Sequence, residues 1–275
     1  DWLKKLIEAV GFRPINNIVD ISNFVLASLG HPTHPFDFDI ISEGKIVVRP
    51  SKKGEKLKTL DGVERTMEGG EILISDPKRP IGLAGIMGGE ETEVKNSTKR
   101  VLFESAYFSP SSIRKTSKRL GIQTEASIRF GRGADIESTI YALFAIAYLI
   151  EELNCGVVSD FILDVYPEKF FSPKINFKME KLYYFFGFEF DKDWVSKILT
   201  SLGFKIEEDD LNWIIIPPSY GGDVKEDVDI YEEVARFYGY DKLPKNLPSF
   251  EVGQGWELDE ISLTKKTQDL LSHFG

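Results

Sequence analysis

Two of the three histidines in this chain lie close together, in a segment suited to chemistry. His31 and His34 are each followed by a proline, within the run Gly-His-Pro-Thr-His-Pro-Phe-Asp at 30–37. A proline keeps the preceding residue out of helical conformations, so we expect a rigid loop that presents imidazoles for proton transfer or ligand contact. A purely structural histidine is the alternative. A zinc site is a poor fit, because Cys155 is the single cysteine.

A single carboxylate interrupts an apolar run. Glu104 lies in Leu-Phe-Glu-Ser-Ala at 102–106, which we predict to be a strand. Alternate side chains of a strand share a face, so Leu102 and Glu104 would lie on the same side. If that side is buried, the carboxylate needs a partner or a ligand's hydrogen bond; on an edge strand it would lie in water. Glycines at 82, 85, 88 and 89 would let a ligand approach the backbone, whose N–H groups can bind an anion or a carbonyl oxygen.

A second set of acidic residues lies on a helix predicted near 226–238. Asp229, Glu232 and Glu233 follow the i, i+3, i+4 spacing of one helix face, and Asp223 precedes the helix. Oxygen ligands of this kind suit Mg²⁺ or Ca²⁺. The alternative is that acids near a helix start are favoured by the helix dipole alone.

The chain is acidic overall, but its charge is uneven. A formal net charge of −10 argues against an extended nucleic-acid surface. Residues 114–132, however, carry six basic residues opposed only by Glu125. The basic residues are Arg114, Lys115, Lys118, Arg119, Arg129 and Arg132. This segment predicts either a local contact with RNA or a solvated helix face.

Composition also limits where the protein works. The single cysteine cannot form an internal disulfide, which favours a reducing compartment. The most apolar run, at 140–150, is shorter than the ~20 residues that a membrane-spanning helix needs. We therefore expect a soluble, cytoplasmic protein without a membrane partner.

Sequence patterns predict an α+β fold with a large first unit at 1–168. Apolar residues at helical spacing and glycine caps favour helices near 3–10, 20–29 and 135–153. Short β-type runs favour strands at 46–48, 72–74, 101–103 and 157–165, with a hairpin turn at Asp61-Gly62.

A smaller unit is predicted at 169–245, after a linker at 166–174. Two helices, near Lys181 and over 193–202, precede a strand pair at 204–207 and 213–216, which suggests a winged-helix-like module. The final part, 246–275, reads as a second linker and the start of a further domain. The chain begins without methionine and stops within a periodic segment, so we expect a piece of a longer polypeptide.

The order of several motifs resembles that of phenylalanyl-tRNA synthetase β subunits over nearly the whole chain. Five motifs carry the resemblance: Arg-Pro-Ile-Asn-Asn-Ile-Val-Asp-Ile at 13–21, His-Pro-Phe-Asp at 34–37, Gly-Leu-Ala-Gly-Ile-Met-Gly-Gly at 82–89, Glu-Ser-Ala at 104–106 and Thr-Glu-Ala-Ser at 124–127. A sixth, Asp-Ile-Tyr-Glu-Glu-Val-Ala-Arg-Phe-Tyr-Gly-Tyr at 229–240, is similar to the hallmark of the next module. The family usually has different residues at His31, Thr33 and Pro35, and a glutamate at Gly131.

The resemblance implies an editing domain followed by a module that binds Mg²⁺. The implied editing centre consists of Arg13, His34, Ala84, Gly85, Glu104, Thr124 and Ala126. The implied magnesium ligands are Asp223, Asp229, Glu232 and Glu233. Implied partners are tRNA(Phe), the α subunit in an α2β2 heterotetramer, and tyrosine as the editing ligand. ATP and phenylalanine would bind the α subunit, so this chain is not expected to charge tRNA alone.

Two other functions remain open from the residues themselves. One is a non-catalytic module for tRNA binding and subunit assembly, in which the glycines and carboxylates only shape an interface. The other is a free-standing metal-dependent hydrolase built on the acidic residues, although no nucleophile lies beside them in the sequence.

Overall fold

Helices and short strands are mixed along the chain, and the expected α+β class is confirmed. The computed structural model describes residues 2–209, 212–244 and 259–274. Most of the second predicted linker lies outside these ranges, and the helix expected after it is present as α9 (Asp259–His273). No helix within the described ranges is long and apolar enough to cross a membrane.

Three small antiparallel sheets form the β part of the first unit. The largest has the order β2-β5-β6-β7, a second pairs β1 with β8, and a third is the hairpin β3–β4. The strands are β1 (Thr33–Asp37), β2 (Val47–Pro50), β3 (Lys56–Lys58), β4 (Glu64–Thr66), β5 (Ile72–Ser75), β6 (Pro80–Leu83), β7 (Met87–Gly88) and β8 (Val101–Ser105). The β1–β8 ladder therefore joins segments that are far apart in the sequence.

Five helices surround these sheets, and their ends follow from local capping. Asn16 caps α2 by accepting a hydrogen bond from the Val19 N–H (2.9 Å), and the helix ends at Gly30 with φ 71°. That left-handed conformation suits glycine because it has no Cβ. The helices are α1 (Trp2–Ala9), α2 (Asn17–Leu29), α3 (Pro110–Leu120), α4 (Glu125–Arg132) and α5 (Ser138–Glu152).

Strand β8 separates two hydrophobic cores. Its Leu102 packs towards the core formed by the β-sheets with α3 and α4, whereas Phe103 packs against the core of α1, α2 and α5. The Ser105 hydroxyl also points to the helices and donates to the Thr139 carbonyl in α5 (2.7 Å). The predicted alternation is therefore confirmed, and Glu104 lies on the face of Leu102.

The second unit is a three-stranded sheet with three helices around one core. The sheet has the order β10-β11-β9 and is antiparallel throughout. Its elements are β9 (Ile175–Phe177), α6 (Met179–Phe186), α7 (Lys192–Ser201), β10 (Lys205–Asp209), β11 (Asn212–Ile216) and α8 (Asp227–Tyr238). The predicted order of helices followed by a hairpin is confirmed. Phe177 stacks on Trp213 in the middle of the core.

Two local predictions were wrong. Residues 157–165 form no strand: the segment is irregular, and Val157, Phe161 and Leu163 are exposed. Apolar residues favour a strand only where a neighbouring strand can pair with them and cover them. The histidine segment is strand β1 rather than a loop. A proline such as Pro35 is tolerated there because β1 pairs on one side only.

Candidate functional site

A cleft opens where the β1–β8 ladder, the β6–β7 hairpin and the first turn of α4 meet. Its cavity volume is about 70 Å³, which is room for several waters at about 10–15 Å³ each. Its walls are mostly apolar, and its polar side chains are those of Thr33, His34 and Glu104. An apolar cleft with a few convergent polar groups is the usual form of a ligand site.

His34 and Glu104 are direct cross-strand partners in this cleft. The register of β1 and β8 pairs His34 with Glu104 and Phe36 with Leu102. Side chains that lie opposite each other on neighbouring strands have Cβ atoms about 4.5–5.5 Å apart. Two groups that are 70 positions apart in the sequence therefore act in one place.

The Glu104 carboxylate has no hydrogen bond or ion pair with the described part of the protein. Burial in the cleft disfavours its charged form and raises the pKa of Glu104 to about 7. A carboxyl group in this state is available for a ligand, because nothing in its surroundings satisfies it.

The His34 imidazole lies opposite the carboxylate; the residue is half-buried, and its Nε2 atom is fully buried. Its ring contacts Phe36 edge to face, with centroids 4.5 Å apart, and its Nε2 has no partner among the described residues. Burial lowers the pKa of His34 to about 4, so the ring is neutral at pH 7. It lies so close to Gly88 that a Cβ there would come within 2.4 Å of Cε1 and Nε2. Glycine at 88 is what leaves room for this imidazole.

The turn between β6 and β7 forms another wall. Gly85 has φ 64°, and a Cβ there would come within 2.8 Å of Phe108 and 3.0 Å of Ile113 and Phe130. Its N–H has no acceptor in the described structure, whereas the N–H of the buried neighbour Ala84 bonds to the Ile72 carbonyl (3.1 Å). The turn therefore requires glycine and leaves one backbone donor at the cleft.

Thr124 joins the start of α4 to this turn. Its hydroxyl donates to the Ile86 carbonyl (2.8 Å) and accepts from the Ser127 N–H (3.1 Å). The Ser127 hydroxyl donates in return to the Thr124 carbonyl (3.0 Å), and also accepts from the Thr124 N–H (2.8 Å). Ala126, in the first turn of α4, lines the cleft. The small side chain at 126 leaves the positive end of the α4 dipole at the cavity wall.

Two other candidates lie outside the cleft lining. Arg13 is exposed in the segment before α2. His31 is buried, with neither ring nitrogen bonded to the described residues and its ring edge-to-face with Phe130 (6.0 Å). Burial lowers the pKa of His31, and the nearby Asp135 opposes that shift. His31 thus supports the cleft wall through Phe130, which favours the structural alternative for this residue.

In the second unit, two of the predicted metal ligands have other partners. The Asp229 carboxylate accepts from the N–H groups of Lys225 (2.8 Å) and Glu226 (2.9 Å), which caps α8. Glu233 forms an ion pair with Arg236 one turn later in the same helix. These contacts are the ones that a helix start and an exposed helix face form without a metal.

The other two predicted ligands, Asp223 and Glu232, are exposed. Across the described ranges no three His, Cys, Asp or Glu side chains converge as a metal-binding group. The four carboxylates as placed do not fit a divalent ion. The magnesium site stays a prediction.

Several residues of the cleft carried no individual signal in the sequence. Phe36, Met87 and Phe130 line it together with Thr33. The alternation of His34 and Phe36 along β1 could have placed Phe36, if the prolines had not favoured a loop. The contact between His34 and Gly88 depends on the fold and could not be read from spacing.

Two domain families match this chain. Residues 1–155 match the model of the B3/4 domain, which covers more than half of the chain and includes the whole cleft. The chain belongs to the B3/4 domain family. Residues 175–240, the second unit, match the tRNA synthetase B5 domain.

Curated relatives agree with this pair of domains. The phenylalanine–tRNA ligase β subunit of Carboxydothermus hydrogenoformans is 41% identical over 274 residues, which is 100% of this chain and 34% of the relative. Those of Geobacter metallireducens and Protochlamydia amoebophila are 44% and 43% identical, over 91% and 90% of this chain and 32% and 31% of theirs. This chain, with its B3/4 and B5 domains, thus spans about a third of the length of these relatives. The resemblance to phenylalanyl-tRNA synthetase β subunits that the motifs predicted is confirmed by these relatives.

Among solved structures, the chain is similar to an N-terminal fragment of the phenylalanyl-tRNA synthetase β subunit from Pyrococcus horikoshii. The identity is 17% and the TM-score 0.42, over 81% of this chain and 65% of that one.

Proposed function

We propose that this chain hydrolyses tyrosine wrongly esterified to tRNA(Phe), as the editing part of a phenylalanine–tRNA ligase. The observation that carries the proposal is the unsatisfied Glu104 carboxyl group in an apolar cleft, directly opposite His34. A hydrolytic site that selects tyrosine over phenylalanine needs one polar group that recognises the phenol hydroxyl. Glu104 supplies it, and the apolar wall accommodates the ring.

The need for a second site follows from how pockets discriminate. A pocket that fits phenylalanine rejects an added hydroxyl only weakly, whereas a site that hydrogen-bonds the hydroxyl rejects a substrate that lacks it. In the cleft, a tyrosyl ester donates its phenol hydrogen bond to Glu104. A phenylalanyl ester leaves that buried group unpaired, which costs the full desolvation of the carboxylate.

The reaction is ester hydrolysis. Water attacks the aminoacyl carbonyl carbon, the bond to the terminal ribose oxygen breaks, and that oxygen takes up a proton. The free Gly85 N–H and the first turn of α4 at Ala126 are the donors that can stabilise the oxyanion. His34, neutral at pH 7, orients the water or the terminal ribose. A ribose hydroxyl of the tRNA can assist in place of a protein base.

The proposal also assigns the remaining candidates. Thr124 fixes the turn that holds Ala84 and Gly85, through its bond to Ile86. Arg13 would contact the tRNA outside the cleft, where it is exposed. The partners are tRNA(Phe) and the α subunit, which supplies the site for ATP and phenylalanine.

Deacylation of tRNA(Phe) charged with tyrosine or with phenylalanine tests the proposal. Glu104→Ala should lower the ratio of tyrosyl to phenylalanyl hydrolysis about ten- to a hundredfold, because a hydrogen bond to a charged group contributes ~1.5–3 kcal/mol. His34→Ala should slow both esters alike, and Glu8→Ala, on the exposed face of α1, should change neither. An unchanged ratio in Glu104→Ala would remove Glu104 from its role as selector.

A non-catalytic tRNA-binding and assembly module is the second candidate. One observation favours it: Tyr141, Phe144 and Tyr148 lie on one face of α5 and are 63%, 53% and 64% exposed. Exposed aromatic residues at this spacing are typical of a surface that another protein covers. A wild-type chain that binds tRNA(Phe) but hydrolyses neither ester would support this candidate. Formation of phenylalanyl-tRNA by this chain alone, from ATP and phenylalanine, would contradict both.

A further inference from the structure

We propose that the outer face of α3, together with Tyr107 and the end of α4, binds the single-stranded RNA whose ester enters the cleft. This inference rests on the proposed function, because it supplies the RNA contact that such a substrate needs. The partner is a single RNA strand that offers consecutive phosphates followed by an unpaired terminal base.

Basic residues are concentrated in one segment of this acidic chain. Residues 107–132 carry six basic residues and one acid, in a chain whose net charge is −10. Helix α3 has no acidic residue. Phosphates approaching an acidic protein are repelled over most of its surface, so a local basic face determines where they bind.

Three of the six basic residues are occupied within the protein. Arg119 pairs with the buried Glu71, which ties α3 to the β-sheets. Arg129 pairs with Glu125 one turn earlier in α4. The hydrogen bonds from Ser51 and from backbone N–H groups keep the pKa of Glu71 at about 2 despite its burial, so this anchor is ionised at neutral pH.

The third occupied residue, Arg114, donates to the Gly131 carbonyl and joins α3 to α4. Lys115, Lys118 and Arg132 remain: all three are exposed and form no ion pair with the described residues. Lys115 and Lys118 are spaced i, i+3 and share one face of α3. Within the described residues, none of these three side chains stabilises the fold through an ion pair or a hydrogen bond, so all three can bind phosphates.

The helices that carry Lys115, Lys118 and Arg132 also form or support the cleft wall. Helix α4 carries both Ala126 and Phe130 of the cleft wall, and Arg132 follows within the same helix. Ile113 of α3 packs closely against the turn at Gly85. The helix pair therefore presents its inner side to the cleft and its cationic side to solvent, as a substrate with a buried ester and an external phosphate chain requires.

An exposed aromatic ring lies in the connection that leads from the cleft strand β8 to helix α3. Tyr107 is 43% exposed and lies three residues after Glu104, in the short connection from β8 to α3. Its hydroxyl has no partner within the described ranges. An aromatic ring beside a basic groove is the usual stacking platform for single-stranded nucleic acid, because every base has a π face.

Binding of uncharged tRNA(Phe) to the full chain, measured against salt concentration, tests the inference without requiring hydrolysis. Lys115→Ala/Lys118→Ala should weaken binding and flatten the slope of log K against log salt by about one to two, since each phosphate contact contributes ~0.7–0.9. Lys4→Ala/Lys5→Ala removes the same charge from the exposed side of α1 and is the matched control. Equal slopes in the two double variants would overturn the inference.

Tyr107 gives an independent test. Tyr107→Ala should weaken tRNA(Phe) binding roughly 5- to 100-fold, and Tyr107→Phe should retain it, because stacking needs the ring and not the hydroxyl. Equal binding by Tyr107→Ala and the wild type would remove the stacking contact.

The inference and the proposed function fail in different ways. If the wild type hydrolyses tyrosyl-tRNA, the lysine variants should raise KM and leave kcat unchanged, because the contact is made equally in the ground and transition states. Tyrosine ethyl ester, which lacks RNA, should be hydrolysed equally by the wild type and these variants. Loss of binding in a chain that never deacylates would instead keep the RNA surface and reject the editing role.

Discussion

Burial shifts the pKa values of Glu104 and His34, which face each other in the cleft, in opposite directions. The pKa of Glu104 rises to about 7 and that of His34 falls to about 4, so at pH 7 His34 is neutral and Glu104 is present in both its neutral and its ionised form. Because the imidazole opposite Glu104 is neutral, the cleft never holds two buried charges at neutral pH. A bound phenol or ribose hydroxyl then becomes the strongest hydrogen-bonding partner that either group meets.

The raised pKa of Glu104 predicts how stability depends on pH. The folded protein binds more protons than the unfolded chain between pH 4.5 and about 7, so Glu104 should lower stability progressively as pH rises through that window. Glu104→Gln should remove this loss and stabilise the protein at pH 8 by on the order of 1–3 kcal/mol. Urea unfolding at pH 5 and pH 8 measures it, with Glu8→Gln as control. Equal stability of Glu104→Gln and the wild type at pH 8 would mean that the carboxylate is solvated.

A second prediction at this scale concerns the space beside His34. A Cβ at Gly88 would lie 2.4 Å from the imidazole, whereas a Cβ at the facing Gly82 meets nothing closer than 3.7 Å. Gly88→Ala should therefore displace His34 and slow deacylation of both esters, by about tenfold or more for a misplaced group. Gly222→Ala, at an exposed glycine of the second unit where a Cβ meets nothing within 4 Å, is the control and should act like the wild type. Similar rates in the two variants would show that His34 has no part in the reaction.

At the scale of elements, helix α4 contains a glycine, Gly131, that lowers the stability of the helix. Gly131 lies in the last turns of the helix, and a Cβ there would meet only Arg114 Cγ, at 3.3 Å, in a flexible side chain. Gly131→Ala should stabilise the fold by ~0.5–1 kcal/mol through helix propensity. In contrast, Gly121→Ala at the end of α3 forces a side chain to φ 65° and should destabilise it by ~1–2 kcal/mol. Thermal melting distinguishes them, and a loss of stability in Gly131→Ala would mean that Arg114 cannot move aside.

Elements with strong local patterns were predictable, and those that depend on distant partners were not. The alternation of Leu102 and Glu104 fixed the face of β8, because its period needs no tertiary information. The apolar residues at 157–165 carry the same kind of signal, yet no strand pairs with them. For β1 the reverse holds, since its partner β8 forms the strand despite Pro35.

At the scale of the whole molecule, the order of motifs identified the family, but the site depended on the fold. Sequence order placed Glu104, His34 and Ala126 in one function by resemblance, and the structure brings all three to one cleft. The walls that surround them, such as Phe130 and Met87, come from packing between separate elements, which no local pattern encodes.

The magnesium prediction belongs to the second unit as a whole. Millimolar Mg²⁺ should raise its melting temperature if the acids of α8 share an ion, because a ligand of the folded state stabilises it by mass action. Asp229 would have to exchange its two N–H donors for the ion. Asp223→Asn should abolish the rise without altering the helix cap. A melting temperature indifferent to Mg²⁺ would leave Asp229 as a helix cap alone.

The β1–β8 ladder has a consequence for how activity returns after unfolding. Strands β2 to β7 lie between its two halves in the sequence, so pairing β1 with β8 closes a long loop of chain. Contacts between distant parts of a chain form slowly, because the loop between them must first lose its freedom. In a refolding experiment, the helical signal in far-UV circular dichroism, to which α2 and α5 contribute, should therefore recover before tyrosyl-tRNA hydrolysis does. Simultaneous recovery would mean that the ladder already forms in the rate-limiting step.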